Sequence, residues 1–185
     1  GITATDGSEN WRLQKHLFDR VIDTLRTRHG KTPMFWYETD FREIPEGCVT
    51  FAWRHGLTAA AIRAAQENGR KIMLCPGEHC YLDYPAAPGD MPEVNWGMPV
   101  TSLEQTYRLD PAWGFGEDFE KHNLMGVAGT LWSECISSPE RLYYMAYPRA
   151  MALAEAGWST PANRSWESFR ERVRYQMRQH RLRRF

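Results

Sequence analysis

The sequence predicts an α/β domain: a parallel sheet with helices packed outside it. Three observations predict it. Four short apolar runs of strand length, Met34–Tyr37, Cys48–Trp53, Lys71–Cys75 and Gly126–Trp132, are spread along the chain. Segments with helical spacing of apolar residues lie between and after them, and alternation of this kind builds parallel sheets. Each run also ends in or near a residue of chemical interest: Trp36, Trp53, Tyr81, then Trp132 and Glu134. Parallel α/β folds place ligand chemistry at the C-terminal ends of their strands.

The elements follow in order. From Trp11 to about Arg28, Leu13, Leu17, Val21 and Leu25 recur at helical spacing, and Gly30 ends the run. Met34–Tyr37 and Cys48–Trp53 read as buried strands. Thr58 is placed to cap a helix through Ala59, Ile62 and Ala65, which Gly69 stops. Lys71–Cys75 is the third strand. Residues 76–123, rich in Pro, Gly and aromatics, read as one irregular stretch; a loop of about fifty residues inside a compact domain is usually functional. The fourth strand, Gly126–Trp132, precedes one helix over 139–156 and a last helix over about 166–181. No repeat, low-complexity tract or linker divides the chain, so residues 1–185 are expected to be one domain.

Composition excludes several classes. Lys plus Arg (23) equals Asp plus Glu (23), so no global field favours nucleic acid or an anionic membrane. The basic tail Arg170–Arg184 reads as the solvated face of an amphipathic helix. No apolar run approaches the ~20 residues of a membrane span, and the opening Gly-Ile-Thr-Ala-Thr-Asp does not read as a signal peptide. Four cysteines, Cys48, Cys75, Cys80 and Cys135, do not make a disulfide-dense scaffold. Cys75-Pro-Gly-Glu-His79-Cys80 lacks the spacing of a zinc ribbon, so no metal is expected; buried thiols and a local Cys75–Cys80 bridge both stay open. Eight tryptophans are many for this length, and an aromatic-rich ligand site or a dense scaffold accounts for them.

Trp132-Ser133-Glu134 carries the most chemistry. If the fourth strand runs through it, an indole and a carboxylate lie on one face. A flat apolar plate beside an acceptor suits a sugar ring, with its apolar C–H face and rim of hydroxyls. Alone, the triplet reads equally as a core tryptophan beside a solvated glutamate. It stands in a wider set: His79-Cys-Tyr-Leu-Asp-Tyr-Pro85, Asn95-Trp96-Gly97, Leu103-Glu-Gln-Thr-Tyr107, Asp110-Pro-Ala-Trp113, Gly129-Thr-Leu-Trp-Ser-Glu134 and Tyr147-Pro-Arg-Ala-Met-Ala-Leu-Ala-Glu155, ending at Trp158. In order and spacing, from about Leu17 to Trp166, the chain closely resembles the C-terminal half of the catalytic barrel of glycoside hydrolase family 20, the β-N-acetylhexosaminidases.

The resemblance implies a fold and a set of roles. The fold would be about strands 5–8 of a TIM (β/α)8 barrel. Tyr81 corresponds to the tyrosine whose hydroxyl donates to the substrate's acetamido carbonyl, Asp83 and Glu134 to acceptors of the outer sugar hydroxyls, and Trp132 to the plate under the pyranose. Trp36 and Trp53 correspond to walls of the acetamido methyl, and Trp96 to an aromatic near the leaving group. Arg149 and Glu155 read as a structural pair. The implied reaction is exo-hydrolysis of terminal β-linked GlcNAc or GalNAc with retention, the acetamido group being the nucleophile. It needs no metal or organic cofactor, and it implies amino-sugar glycans as partners and a location outside the cytoplasm. The family's His-x-Gly-Gly-Asp-Glu type segment is absent from the sequence, as is a candidate for its hydroxyl-holding arginine near the first strand. Glu117-Asp118 is the only directly adjacent acidic pair, with no glycine pair before it. The chain is therefore expected to need an N-terminal half of the barrel carrying the Asp-Glu pair, and to be inactive without it. The alternative is a non-catalytic carbohydrate-binding module.

Overall fold

The computed structural model describes residues 10–37, 45–90, 98–115 and 123–179. Four strands, β1 (Met34–Trp36), β2 (Val49–Ala52), β3 (Lys71–Leu74) and β4 (Leu124–Val127), form one sheet in the order β1-β2-β3-β4. The first two are parallel, with Phe35 opposite Thr50 and Trp36 opposite Phe51. The chain divides into two compact units, residues 1–73 with 120–125, and residues 74–119 with 126–185.

In the first unit, α1 (Asn10–His29) turns Ile22 into the core and sets Phe18 against Phe35, 5.9 Å between rings. The expected apolar stripe is only partly the buried one. Leu17 and Val21 stand exposed, because the inward face is the neighbouring i, i+4 pair Phe18 and Ile22. The next helix, α2 (Thr58–Glu67), buries Thr58, Ala61, Ile62 and Ala65. Thr58 does not cap it: it is the first helical residue, the cap position is Leu57, and no side chain closes that end. Gly69 does stop it. At φ 61° its N–H donates to Gln66 O (3.1 Å) and that of Arg70 to Ala65 O (2.8 Å), the paired closure that a left-handed glycine permits.

In the second unit, the expected irregular stretch contains two short helices, α3 (Gly77–Cys80) and α4 (Leu103–Tyr107). Ser102 starts α4 by accepting from Gln105 N–H at 3.1 Å. Gln105 ties the two helices together, its amide donating to Glu78 O (2.7 Å) and its own carbonyl lying 2.5 Å from His79 Nδ1. The single helix expected over 139–156 is two, α5 (Pro139–Ala146) and α6 (Arg149–Trp158). Pro148 has no N–H for a helical bond and restricts Tyr147, so the break falls between them. The last helix, α7 (Trp166–Gln179), packs Phe169 and Val173 with Tyr107 and Ala152 into one core cluster. Residues 180 and 181 of the expected last helix lie outside the described residues. Among the described residues, no helix is long and apolar enough to cross a membrane.

Strand β4 is shorter than the sequence suggests. Ile72 N–H donates to Asn123 O (2.9 Å) in the first unit, and Ala128 N–H to Leu74 O (2.8 Å) in the second. Regular parallel pairing from the first bond would place the second donor one residue earlier. The extra residue is accommodated at Gly126, whose φ of 144° other residues rarely adopt.

Candidate active site

The site grows from one isolated parallel bridge in the second unit. Tyr81, following α3, pairs with Thr130: Leu82 N–H donates to Thr130 O and Thr130 N–H to Cys80 O, both at 2.9 Å. The chain turns at once after the bridge, Tyr84 N–H donating to Tyr81 O at 3.2 Å, and Asp83, inside that turn, is near enough to act on the Tyr81 hydroxyl. The backbone N–H of Trp132 donates to the Asp83 carboxyl, which brings Trp132 to the same turn. Gly129 lets the strip approach α6, since a Cβ there would meet Leu153 Cδ2 at 2.6 Å.

Trp132 and Glu134 do not share a strand face. Trp132 is the extended residue before a one-turn 3-10 helix, Ser133–Cys135, and Glu134 lies inside that turn. The indole is 42% exposed, an available plate, and Glu134 is exposed beside it. The indole N–H of Trp132 hydrogen-bonds the Tyr81 hydroxyl. A hydroxyl that accepts there still carries a hydrogen to donate. Tyr81 is 6% exposed, with its ring 5.1 Å from that of Tyr84. Burial, with smaller contributions from Cys75, Tyr84 and Asp83, pushes its hydroxyl above the usual tyrosine range, so it stays protonated.

Asp83 is half-buried. Burial pushes its carboxyl up to about 6, Glu134 adds to the rise, and the backbone N–H groups of Asp83 and Trp132 and the Arg149 guanidinium oppose it. Its Oδ1 is buried without a hydrogen-bond partner among the described residues. The second unit thus gathers one hydroxyl donor, two carboxylate acceptors and an exposed aromatic plate.

Trp36 and Trp53 belong to the first unit, where their rings meet edge to face at 6.5 Å; Trp36 also packs on Phe51 at 4.8 Å. Trp96 lies outside the described residues, as does Glu117-Asp118. Cys48, Cys75 and Cys80 are buried free thiols, so the local Cys75–Cys80 bridge is not formed. Among the described residues no group of three or more His, Cys, Asp or Glu side chains could hold a metal ion.

Arg149 and Glu155 are not a pair. Glu155 binds Arg172 through both oxygens (2.6 and 2.7 Å) and accepts from the Tyr107 hydroxyl at 3.3 Å. Arg149, 1% exposed, turns the other way, donating to the carbonyls of Leu82, Tyr84, Thr101 and Met145. Sequence reasoning missed its link to the site. The available signal was a single arginine opening an otherwise small and apolar helix, where only burial against bare carbonyls suits it.

The sequence pattern of the glycosyl hydrolase family 20 catalytic domain matches residues 2–161. The chain belongs to that family. It is 40% identical over 161 residues to a β-hexosaminidase of Akkermansia muciniphila, an overlap covering 86% of this chain and 32% of that protein. A β-hexosaminidase of Vibrio furnissii is 33% identical over 160 residues, 84% of this chain and 25% of its own length. Among solved structures, a β-N-acetylhexosaminidase superposes with a TM-score of 0.80 at 36% identity, covering 96% of this chain and 37% of that one. The exo β-N-acetylglucosaminidase of Vibrio harveyi, solved with N-acetylglucosamine, superposes at 0.74 and 30% identity, over 90% of this chain and 26% of that one. The family 20 chain described here thus spans about a third of its relatives' length or less, and its α/β fold with a parallel sheet is that of part of their barrel.

Proposed function

We propose that this family 20 chain is the sugar-holding part of an exo-β-N-acetylhexosaminidase that removes terminal β-linked GlcNAc or GalNAc with retention of configuration. The observation that carries the proposal is the convergence of Tyr81, Asp83, Trp132 and Glu134 on one bridge. In the substrate-assisted reaction the acetamido oxygen attacks the anomeric carbon as the glycosidic bond breaks, giving an oxazolinium that water then opens. A protonated, buried Tyr81 is suited to donate to the acetamido group as charge develops there. Asp83 and Glu134 accept from the sugar's outer hydroxyls, bonds strengthened by the carboxylate charge. Trp132 lies under the ring's apolar face.

Protonation of the leaving oxygen needs a general acid, and the family's Asp-Glu segment that would supply it is absent from this sequence. We therefore assign the general acid and its neighbouring aspartate to a complementary half of the barrel, outside these 185 residues. The coverage of the relatives supports this, as does the apolar surface left exposed at Met34, Met125 and Trp158, the last 91% exposed. Amino-sugar-bearing glycans are the proposed substrates, and a location outside the cytoplasm is the proposed setting.

Two measurements on the full-length protein test the proposal: turnover of an aryl β-N-acetylglucosaminide, and calorimetric binding of N-acetylglucosamine. Turnover with strong preference over the aryl glucoside is expected. Binding without turnover would establish a carbohydrate-binding module instead, and neither would refute the site.

A further inference from the structure

We propose that Arg149 is a positioning residue of this site: its guanidinium fixes the backbone on both sides of Asp83 and keeps a buried positive charge behind that carboxylate. The proposal rests on the functional reading above and extends it to a residue that touches no substrate.

The geometry is specific. Arg149 Nη2 donates to Leu82 O at 2.5 Å and Nη1 to Tyr84 O at 2.9 Å, the two carbonyls that flank Asp83. The same Nη1 donates to Thr101 O at 2.9 Å, while Nε and Nη2 reach Met145 O at 3.2 and 2.8 Å. One planar fork therefore clamps the Tyr81–Tyr84 strip, the 98–115 segment and the end of α5 to the start of α6. A displacement of the strip would carry Tyr81 and Asp83 together, and small misplacements of such groups are felt strongly in catalysis.

The charge needs its own explanation. Every acceptor of the guanidinium among the described residues is neutral, a backbone carbonyl or the Met145 thioether, which a neutral donor could satisfy. A buried cation without a contacting carboxylate is unfavourable. The carboxylates that sense Arg149 are Asp90 and Asp83. Asp90 already has a cation of its own, Arg141 at 2.8 Å, and accepts from Ala86 N–H at 2.9 Å. Among the described residues Asp83 has no such ion pair: Glu134 and burial work against its ionisation, Tyr81 and Tyr84 are the titratable rings that sense it, and Arg149 is a cation acting on it. Burial lowers the Arg149 pKa only to about 10, so the guanidinium stays charged wherever Asp83 titrates.

The test compares Arg149→Gln and Arg149→Lys in the full-length protein. The Asp83 carboxyl is followed by carbon NMR without substrate, and kcat and KM for an aryl N-acetylglucosaminide are followed against pH. Arg149→Gln is expected to raise the Asp83 midpoint by about one pH unit, to lower kcat at all pH values through loss of the fork, and to add a further loss in kcat/KM of about fivefold near pH 6 that disappears by pH 8.5. Arg149→Lys, keeping the charge and losing the fork, is expected to leave the midpoint in place while kcat falls at all pH values. An unmoved midpoint and pH profile in Arg149→Gln, with only the melting temperature lowered, would overturn the proposal. If Arg149→Gln does not fold, Arg149→Lys decides: a wild-type kcat and KM would overturn the positioning role. The NMR midpoint needs no turnover, so an inactive wild type would sink the functional reading while Arg149 is still decided.

Discussion

Gly129→Ala is a direct test of how closely the Tyr81–Thr130 bridge is pressed onto α6. A methyl at that position would meet Leu153 Cδ2 at 2.6 Å, Leu82 Cδ1 at 3.5 Å and Cys80 O at 3.6 Å. Carbon atoms settle about 3.5–4.0 Å apart, so Leu153 must retreat by about 1 Å. Leu153 is buried beside the fully buried Ala152, which leaves its tip little room. Overpacking of this kind costs about 1–3 kcal/mol, and because the clash is with a side-chain end the lower half of that range applies. The assay is urea unfolding of Gly129→Ala, Leu153→Ala and the double variant, comparing midpoints at constant m-value. Leu153→Ala alone should cost about 2–4 kcal/mol. The double variant should cost less than the sum by about 1 kcal/mol, because the clash has lost its partner. Additivity within about 0.5 kcal/mol, or a neutral Gly129→Ala, would refute the close approach.

Asp83 gives a prediction with a definite sign. Its carboxyl is pushed up from 3.8 to about 6 in the fold, so the ionised form is the disfavoured one. The penalty is absent below about pH 3.8, grows between there and 6, and is constant above. Fully converted, the shift is about 3 kcal/mol; solvent reaching the half-buried group reduces it to about 1–2. Asp83→Asn should therefore stabilise the protein at pH 7.5 and leave it unchanged at pH 3.5, and equal effects at the two pH values would contradict the burial argument. Glu134→Gln should cost about 1–3 kcal/mol in kcat/KM for an aryl N-acetylglucosaminide through a weakened hydroxyl contact; an unchanged kcat/KM would remove Glu134 from the site.

What the sequence made legible follows from the range of its signals. The short apolar runs around Phe35, Phe51 and Ile72 identify the strands; burial on both faces accounts for the continuous run of β2, while β1 keeps Met34 exposed and β3 opens on the exposed Lys71. The link between Tyr81 and Asp83 was readable only as nearness in the chain, since a turn closed by Tyr84 N–H on Tyr81 O, and no strand face, joins them. The strand face expected for Trp132 and Glu134 is likewise not formed, because the chain turns into a 3-10 helix at Ser133 with no glycine or proline to announce it. The split between α5 and α6 was signalled by Pro148 and overridden by the apolar run around it. Periodicity around Leu17 and Val21 found the helix but not its inward face, since Phe18 and Ile22 fit an equally good stripe. Arg149 was hidden for a different reason: backbone carbonyls leave no trace in the sequence, so a cation whose acceptors are Leu82, Tyr84, Thr101 and Met145 has no visible partner.

The role proposed for Tyr81, a protonated donor to an acetamido oxygen, is examined most directly by the steady-state kinetics of Tyr81→Phe in the full-length protein. The predicted result is a kcat for an aryl N-acetylglucosaminide lower by roughly ten- to a thousandfold, the scale of losing one such donor, with little change in KM. A variant with wild-type kcat and a raised KM alone would contradict it.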